Sequence, residues 1–308
     1  MISIILPTFN RSAVLSSTIE SVLNQTFKEY ELIIINDCSV DKTKAVIAKY
    51  QQKDSRVKYI ENPKNMGCAI SRKIGIENSK EQVLVFLDDD DQWARDKLMK
   101  QYNALTHNNN DMVISDYHIK ENNQLTYKDM KQFQKNFKKE ILKRPGPFFQ
   151  SIMMKKNIIE KIKTPFDSKA IPSEDWNFFI QLSKLNLKIG YINEPLFIWN
   201  IHQNNQSLNI KKEAQALSYI LKTHYDYIKT IHGNHVIGNH YKRIARLYEK
   251  IYSEEHESVN IKNLYIKAFR VNPFSIKNLF YFLMVIIGYN KTRHLIAWIR
   301  NIKGVSIA

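Results

Sequence analysis

Four consecutive aspartates, Asp88–Asp91, come directly after the apolar run Val83–Leu87. The run is too short for a helix of its own and predicts a buried strand, and open α/β sheets bind ligands where their strands end. Two carboxylates about 4 Å apart repel by roughly 1 kcal/mol in water and about 4 kcal/mol at an effective dielectric near 20. A bound hard divalent cation would offset this repulsion. On these residues alone, a solvated acidic turn that caps the following helix is an equally good interpretation.

The elements that must position these acids alternate along the first part of the chain. Apolar runs at Ile2–Leu6, Leu32–Ile35 and Val57–Ile60 precede the run at Val83–Leu87, and segments with helical periodicity separate them. Four strand–helix repeats predict an α/β fold. The sheet should be mainly parallel and doubly wound, with its ligand cleft at the carboxyl ends of the strands.

The pattern is less regular after the aspartates. Helices are predicted at 95–107 and 175–185, and further strands at 112–115, 148–154 and 195–201. The Lys-rich stretch 121–143 predicts a helix or a mobile excursion that ends at Pro145-Gly146-Pro147. From Lys211 onward, helical periodicity predicts four or five helices, with breaks near Gly233, Pro273 and Gly288.

The chain carries a formal charge of +16, and its basic residues are concentrated in the last third. Residues 209–308 contain 16 Lys and Arg against 6 Asp and Glu. Such a balance favours an anionic partner such as a lipid surface or a phosphorylated substrate, although a basic face can also serve solubility alone. No nucleic-acid-binding module is recognisable, so we expect no nucleic-acid partner.

Two further features of the sequence bear on the cellular compartment of the protein and on its association with membranes. The two cysteines lack metal-ligand spacing, and no basic segment precedes an apolar leader, so we expect a cytoplasmic protein with reduced thiols. Leu279–Ile287 is a run of nine apolar residues, too short to span a membrane. It predicts either a helix buried against the rest of the protein or an apolar face that lies peripherally on an anionic membrane.

Several short motifs occur in a fixed order between residues 7 and 207, and together they resemble the bacterial family 2 glycosyltransferases, which have the GT-A fold. The motifs are Pro7-Thr8-Phe9-Asn10, 21–26 (SVLNQT), Asn36-Asp37-Cys38-Ser39, Asn65-x-Gly67-x4-Arg72, Leu87 to Asp91 with Trp93, Ser173-Glu174-Asp175-Trp176, and His202 with Ser207. The resemblance implies a Rossmann-like mixed sheet with a helical C-terminal appendage. It also implies a donor consisting of a sugar linked to UDP.

The resemblance assigns most of these residues to the donor. Asp37 matches the acid that accepts the N3 hydrogen of uracil, with helix capping as its alternative role. The segment Pro7, Thr8, Phe9 and Asn10 would lie along the base and ribose. Asn65 and Arg72 match residues that reach the base or diphosphate. Asp88 and Asp89 are assigned to the nucleotide-sugar, and Asp90, Asp91 and His202 to a Mn²⁺ or Mg²⁺ ion.

On the acceptor side, the resemblance makes Asp175 the catalytic base that takes a proton from the attacking hydroxyl. Glu174 would share this role or position the acceptor, and Trp176 would offer a flat face to a sugar ring. Family 2 enzymes invert the anomeric centre, which agrees with a single base. The sequence departs from the family at Asn36 and Cys38, where Asp and Gly are usual, and both departures concern donor binding rather than the reaction.

These observations predict a catalytic domain at 1–208, with a nucleotide-sugar half at 1–117 and an acceptor half at 118–208, and a basic helical region at 209–308. The expected reaction transfers a hexose or N-acetylhexosamine to a saccharide or lipid-linked saccharide of the bacterial surface. The alternative is a catalytically weak, membrane-docked scaffold, and the helical region could supply a homodimer contact. A dehydrogenase is excluded because the first turn has no Gly-x-Gly-x-x-Gly motif.

Overall fold

We describe a computed structural model of the chain, covering residues 1–201, 209–251 and 258–287. The chain divides into two compact units, Met1–Asn205 and Gln206–Ala308. The predicted boundary at residue 208 falls in a stretch outside the described residues. No helix in the described ranges is long and apolar enough to cross a membrane.

Residues 1–201, the described part of the first unit, contain one mixed sheet of nine strands. The strands are β1 (Ile2–Thr8), β2 (Tyr30–Asn36), β3 (Val57–Glu61), β4 (Val83–Phe86), β5 (Gln92–Trp93), β6 (Met112–Glu121), β7 (Gln124–Lys128), β8 (Ile152–Lys155) and β9 (Ile189–Asn200). Seven helices accompany them: α1 (Leu15–Leu23), α2 (Thr43–Lys53), α3 (Cys68–Glu77), α4 (Lys97–His107), α5 (Lys131–Lys143), α6 (Lys156–Ile159) and α7 (Glu174–Leu182).

The sheet order is β3-β2-β1-β4-β8-β6-β9-β5, with β7 paired to β6. Strands β3, β2, β1 and β4 are parallel, as predicted for this half. Strand β8 lies antiparallel between β4 and β6, and β5 lies antiparallel to β9. Strands β6 and β9 are again parallel. The predicted parallel order therefore holds without interruption only for the first four strands, because short apolar runs do not reveal strand direction.

Apolar side chains of β1, β2 and β4 form the centre of the core. Ile4, Leu32 and Val85 have no exposed surface. Gly75 of α3 lies directly against this sheet, because a Cβ at that position would come within 2.6 Å of an Ile5 side-chain carbon. Full burial on both faces explains why these strands are continuous apolar runs rather than alternating patterns.

Two sequence predictions for the region before β8 need correction. The Lys-rich stretch folds as β7 followed by α5, and α5 is kinked at Asn136. The strand predicted at 148–154 begins later, because Phe149–Ser151 forms a 3-10 helix before β8. The apolar pattern alone did not distinguish the two elements.

The second unit is helical in its described parts. It contains α8 (Ile210–Ile251), α9 (Ser258–Val271) and a helical segment at 276–287. Helix α8 is interrupted at Gly233, whose φ of 67° lies in the left-handed region, and Pro273 lies between α9 and the next segment. These two breaks agree with the sequence prediction. The third predicted break, at Gly288, lies outside the described residues.

Candidate active site

The acidic loop begins where β4 ends. Leu87 donates its amide to the carbonyl of Ile5 at 3.0 Å, which continues the pairing of β4 with β1 for one more residue. Because β1 and β4 are parallel, their carboxyl ends meet at one edge of the sheet. The amide of Phe9 then donates to Asp89 Oδ2 at 3.3 Å, and Thr18 Oγ1 donates to the Asp89 carbonyl at 3.1 Å. The loop after β1 and the acidic loop therefore form one rim.

A cation from the protein itself lies beside two of the acids. Arg11 Nε is 3.3 Å from Asp89 Oδ1, and Arg11 Nη2 is 3.3 Å from Asp90 Oδ2. Burial, followed by the charge of Asp90, raises the pKa of Asp89 to about 7, and Arg11 opposes this shift. The cluster thus carries more negative charge than its surroundings readily stabilise, which is the condition that favours a bound cation.

Asp91 occupies a different position from its neighbours in the sequence. It has no exposed surface; its Oδ1 accepts the Asn200 amide at 2.9 Å and its Oδ2 accepts Gln150 Nε2 at 2.9 Å. Burial raises its pKa well above the usual range, and the charges of Asp90 and Asp88 add to this. A metal at Asp91 would have to use the lone pairs that these two hydrogen bonds leave unoccupied, so its assignment as a direct ligand stays a prediction.

Arg72 connects the acidic loop to helix α7. Its Nη2 lies 2.7 Å from Asp88 Oδ1 and its Nη1 lies 2.7 Å from Glu174 Oε1, with the guanidinium 4.8 Å from the centre of the Phe149 ring. Burial lowers the pKa of Arg72, but the surrounding acids outweigh it and the net shift is upward. The side chain is only 5% exposed. In this structure Nη1 and Nη2 bind Glu174 and Asp88, whereas the buried Nε has no hydrogen-bond partner, so a contact from Arg72 to the base or diphosphate stays a prediction.

Glu174 and Asp175 open α7 and have different surroundings. Glu174 accepts from Arg72 and, at 3.3 Å, from the Cys68 thiol, so its carboxylate is held in an ion pair. Asp175 is partly buried, and its Oδ1 accepts the Trp176 amide at 2.6 Å. Burial, followed by the charge of Glu174, raises the pKa of Asp175 to about 8. A carboxyl with this pKa has a basicity that suits proton abstraction near neutral pH.

Trp176 does not lie in the cleft. Its indole is 1% exposed, and its Nε1 donates to the Ile141 carbonyl of α5 at 2.7 Å. The assignment of Trp176 as a flat face for an acceptor sugar is wrong, because both faces of the ring are buried in the core. The residue anchors α7 to α5.

Asp37 organises the turn that precedes α3. Its Oδ1 accepts from Asn62 Nδ2 at 2.7 Å and from the Met66 amide at 2.8 Å, while Oδ2 accepts the Gly67 amide at 2.7 Å. Gly67 has a φ of 85°, a conformation that favours glycine. Asn65 is exposed on this turn. A contact from Asp37 to uracil would have to use lone pairs that these three bonds leave unoccupied.

The remaining predicted donor residues lie at the end of β1. Pro7 and Thr8 are buried, whereas Phe9 and Asn10 are exposed at the rim. Asn10 has a φ of 54° and donates its amide to Ser39 Oγ at 2.9 Å. This contact holds the loop after β1 against the loop after β2. His202 lies outside the described residues.

The donor set of the rim fits a divalent metal in its chemistry. Asp88, Asp89 and Asp90 provide carboxylate oxygens, the ligands that Mn²⁺ and Mg²⁺ prefer, and burial together with the charge of Asp90 raises the pKa of Asp89. Among the described residues, no three His, Cys, Asp or Glu side chains form a ready-made cation site. Further ligands for a metal here would come from outside this set of described side chains, with His202 as the candidate that the sequence offers.

The comparison with family models identifies the chain. The model described as glycosyl transferase family 2 matches residues 3–166. The chain belongs to this family. It is therefore a glycosyltransferase, and the matched range includes the acidic loop, Asp37, Arg72 and Arg11.

This glycosyltransferase is similar to two named bacterial enzymes along most of its length. It is 32% identical over 251 residues to the poly(ribitol-phosphate) beta-N-acetylglucosaminyltransferase TarP of Staphylococcus aureus, covering 79% of this chain and 75% of the relative. It is 29% identical over 285 residues to the GalNAc(5)-diNAcBac-PP-undecaprenol beta-1,3-glucosyltransferase of Campylobacter jejuni, covering 85% and 89%. Both names agree with the resemblance drawn from the motifs.

A solved structure shows the same fold. TarS 1–349 of Staphylococcus aureus, in complex with UDP-GlcNAc, superposes with a TM-score of 0.70 at 15% identity, covering 94% of this chain and 91% of that chain. At this identity the similarity establishes the fold alone. The predicted GT-A fold with a helical C-terminal part is confirmed for this glycosyltransferase.

Two residues of the glycosyltransferase site were missed by the sequence analysis. Arg11 pairs with Asp89 and Asp90, and Gln150 donates from its amide to both Asp88 and Asp91. A signal for Gln150 existed, since it is a polar residue within the apolar stretch 148–154 and is 5% exposed. Arg11 gave no signal, because a basic residue in a turn after a strand is common on protein surfaces.

Proposed function

We propose that this glycosyltransferase moves a hexose or N-acetylhexosamine from a UDP-sugar to a hydroxyl of a bacterial surface glycan, with inversion and with a divalent metal. The observation that carries the proposal is the Asp88–Arg72–Glu174 ion-pair chain. It ties the acidic loop at the end of β4 to the start of α7, so a cation-binding rim and the candidate base Asp175 belong to one continuous network.

The donor side of the proposal rests on the first four strands. A UDP moiety would lie over the rim formed by the loops after β1, β2 and β4, with Phe9 and Asn10 exposed towards it and Asp37 below the turn that holds Asn65. Parallel strand ends of this kind are where α/β sheets bind nucleotides. The relative TarS, which shares the fold, was solved with UDP-GlcNAc.

Asp90 is our first choice for the metal ligand, with Asp88 and Asp89 beside it and His202 as a further candidate. A bound Mn²⁺ or Mg²⁺ would neutralise the negative charge that develops on the departing UDP. Arg11 lies 3.3 Å from both Asp89 and Asp90, so it limits the charge of the cluster before donor and metal are present. The proton transfer described next uses side chains of the protein alone.

Asp175 takes the proton of the acceptor hydroxyl as that oxygen attacks the anomeric carbon from the side opposite UDP. A positioned base contributes typically 10²- to 10⁴-fold to rate. We assign Glu174 to positioning rather than to proton transfer, because Arg72 and Cys68 both bind its Oε1 and hold the carboxylate in an ion pair. Attack by the hydroxyl with a single base requires no covalent intermediate, so the product has the inverted configuration.

The names of the relatives support the proposed acceptor class. The names of the two relatives specify a poly(ribitol-phosphate) and a saccharide on undecaprenol diphosphate. For this chain we propose a saccharide of the same kind, lipid-linked or part of a surface polymer. A basic protein suits such phosphate-bearing acceptors.

The decisive experiment measures UDP release from a panel of UDP-sugars with Mn²⁺, with Mg²⁺ and with EDTA. We expect one donor to be turned over with metal and activity to be lost in EDTA. Asp175→Asn should reduce turnover by about 10²-fold or more. Asp96→Asn, on an exposed i,i+4 pair with Lys100, is the matched control and should change little.

Each outcome tests one part of the proposal. Full activity in EDTA would remove the metal, and unimpaired turnover by Asp175→Asn would remove the base. If no donor were consumed under any condition, the alternative of a scaffold with little catalytic activity would be favoured instead.

A further inference from the structure

The segment after Pro273 presents a continuous apolar surface. Its members, which we call the outer apolar face, are 40–96% exposed. They are Phe274, Ile276, Leu279, Phe280, Leu283, Ile286 and Ile287. From Ile276 onward they follow the i, i+3, i+4, i+7 spacing that places side chains on one side of a helix. Large exposed apolar patches on folded proteins mark interaction sites.

The opposite side of the same helix packs against α9 within the second unit. Tyr281 stacks on Tyr265 of α9 with ring centres 4.5 Å apart and planes within 1° of parallel. Asn278 donates to the carbonyls of Ala268 and Asn272 at 2.8 and 2.9 Å. Met284 is 6% exposed. The outer apolar face is therefore additional to the side that holds the helix in place.

The charge of the surrounding sequence identifies the partner. Residues 258–308 contain eight Lys and Arg and no Asp or Glu. Four of these cations lie in the described part, at Lys262, Lys267, Arg270 and Lys277, and the last three are exposed. An exposed apolar face in a stretch of sequence with exposed cations and no acid matches an anionic lipid surface, where acyl chains lie below negative headgroups.

A second copy of the chain fits this face less well. Contact between two such faces would bring Lys and Arg of one copy against those of the other, with no acid in the segment to compensate them. Like charges brought together across an interface oppose association. Twelve helical residues rise about 18 Å, well short of the roughly 30 Å of a hydrocarbon core. The segment can lie in a membrane surface but cannot cross it.

We propose that the outer apolar face inserts into the headgroup region of an anionic membrane, with Lys267, Arg270 and Lys277 contacting lipid phosphates. This function is separate from glycosyl transfer and does not depend on the identity of the donor or the acceptor. It would hold the enzyme at the surface where lipid-linked saccharides are present.

The test is co-sedimentation of the full chain with vesicles of phosphatidylcholine alone and of phosphatidylcholine with phosphatidylglycerol. We expect binding to the anionic vesicles, weaker binding at high salt, and little binding to the neutral ones. The triple variant Ile276→Ser, Phe280→Ser, Leu283→Ser should bind at least about tenfold more weakly, because it removes apolar groups from the inserted side. Leu125→Ser, an exposed apolar residue of β7, is the matched control and should bind as the parent does.

A second measurement reports insertion directly. In Phe274→Trp, the fluorescence of the new indole should shift to shorter wavelength when anionic vesicles are added, whereas that of Leu125→Trp should not. Absence of sedimentation with anionic vesicles, or equal binding by the triple variant, would overturn the proposal. A dimer that the triple variant dissociates, without vesicle binding by the parent, would show that the face joins two copies instead. UDP release by the triple variant in solution should remain at the parent level, so failure here is distinguishable from failure of the enzymatic proposal.

Discussion

Arg72 of α3 donates a 2.7 Å hydrogen bond to Glu174 of α7, a residue 102 positions further along the chain. The same guanidinium binds Asp88, so removing it leaves two acids without their cation. Arg72→Leu should lower the free energy of unfolding by about 3 kcal/mol, since breaking a buried ion pair strands the remaining charge. Urea denaturation measures this change.

The neighbouring lysine provides the control for this prediction. Lys73 forms a 3.7 Å pair with Glu77 and is 58% exposed, so Lys73→Leu should cost less than about 1 kcal/mol. If the two variants lost the same free energy of unfolding, the Arg72 ion pairs would stabilise the fold no more than an exposed pair does.

Gln150 is the only side chain in the described residues that we find donating to both Asp88 and Asp91. In Gln150→Glu, a third carboxylate replaces the amide donor, and the variant should lose about 2–4 kcal/mol of stability at pH 7. The loss should shrink at low pH, where carboxyls are protonated. Thermal denaturation at pH 7 and pH 4 measures both effects. Gln134→Glu, on the exposed side of α5, should show neither.

Asp175 should control the pH dependence of activity. Its pKa of about 8 means that the basic form of the free enzyme accumulates as pH rises. We therefore expect kcat/KM to increase about tenfold per pH unit below 8 and to level off above it. A pH profile that is already flat at pH 6 would contradict this assignment.

The same residue should affect stability with the opposite sign. The folded carboxyl keeps its proton up to about pH 8, whereas the unfolded one releases it near 3.8, so Asp175 lowers stability as pH rises through this window. Asp175→Asn should remove that loss and be at least as stable as the parent at pH 8. This measurement shows whether an inactive variant is folded.

Trp176 should matter for folding and not for acceptor binding. Trp176→Ala should lower the free energy of unfolding by about 3–5 kcal/mol, because it removes a buried ring and the bond to Ile141. The milder Trp176→Phe should keep the acceptor KM of the parent within about twofold. A large increase in KM with unchanged stability would restore the original assignment of Trp176 to the acceptor site.

Motif order and apolar patterning predicted much of the fold and the place of the site. The parallel half of the sheet and the acidic loop at its edge were correctly predicted, because both depend on short stretches of sequence: Val83–Leu87 has strand length, and Asp88–Asp91 follows it directly. The direction of β8 and the 3-10 helix before it were not predictable, since the apolar pattern of 148–154 suits either element.

The sequence by itself determined which chemical groups are available: four consecutive acids, an acidic pair at the start of α7, and a C-terminal segment with cations and no acids. Only the tertiary structure decided how they are used. Asp91 points inward while Asp90 stays at the rim, Trp176 is buried against α5, and Arg72 is bound between two acids distant in sequence. In the run at 279–287 every residue is apolar, so periodicity cannot tell one side from the other; packing of Tyr281 on Tyr265 makes that choice and leaves the outer apolar face exposed.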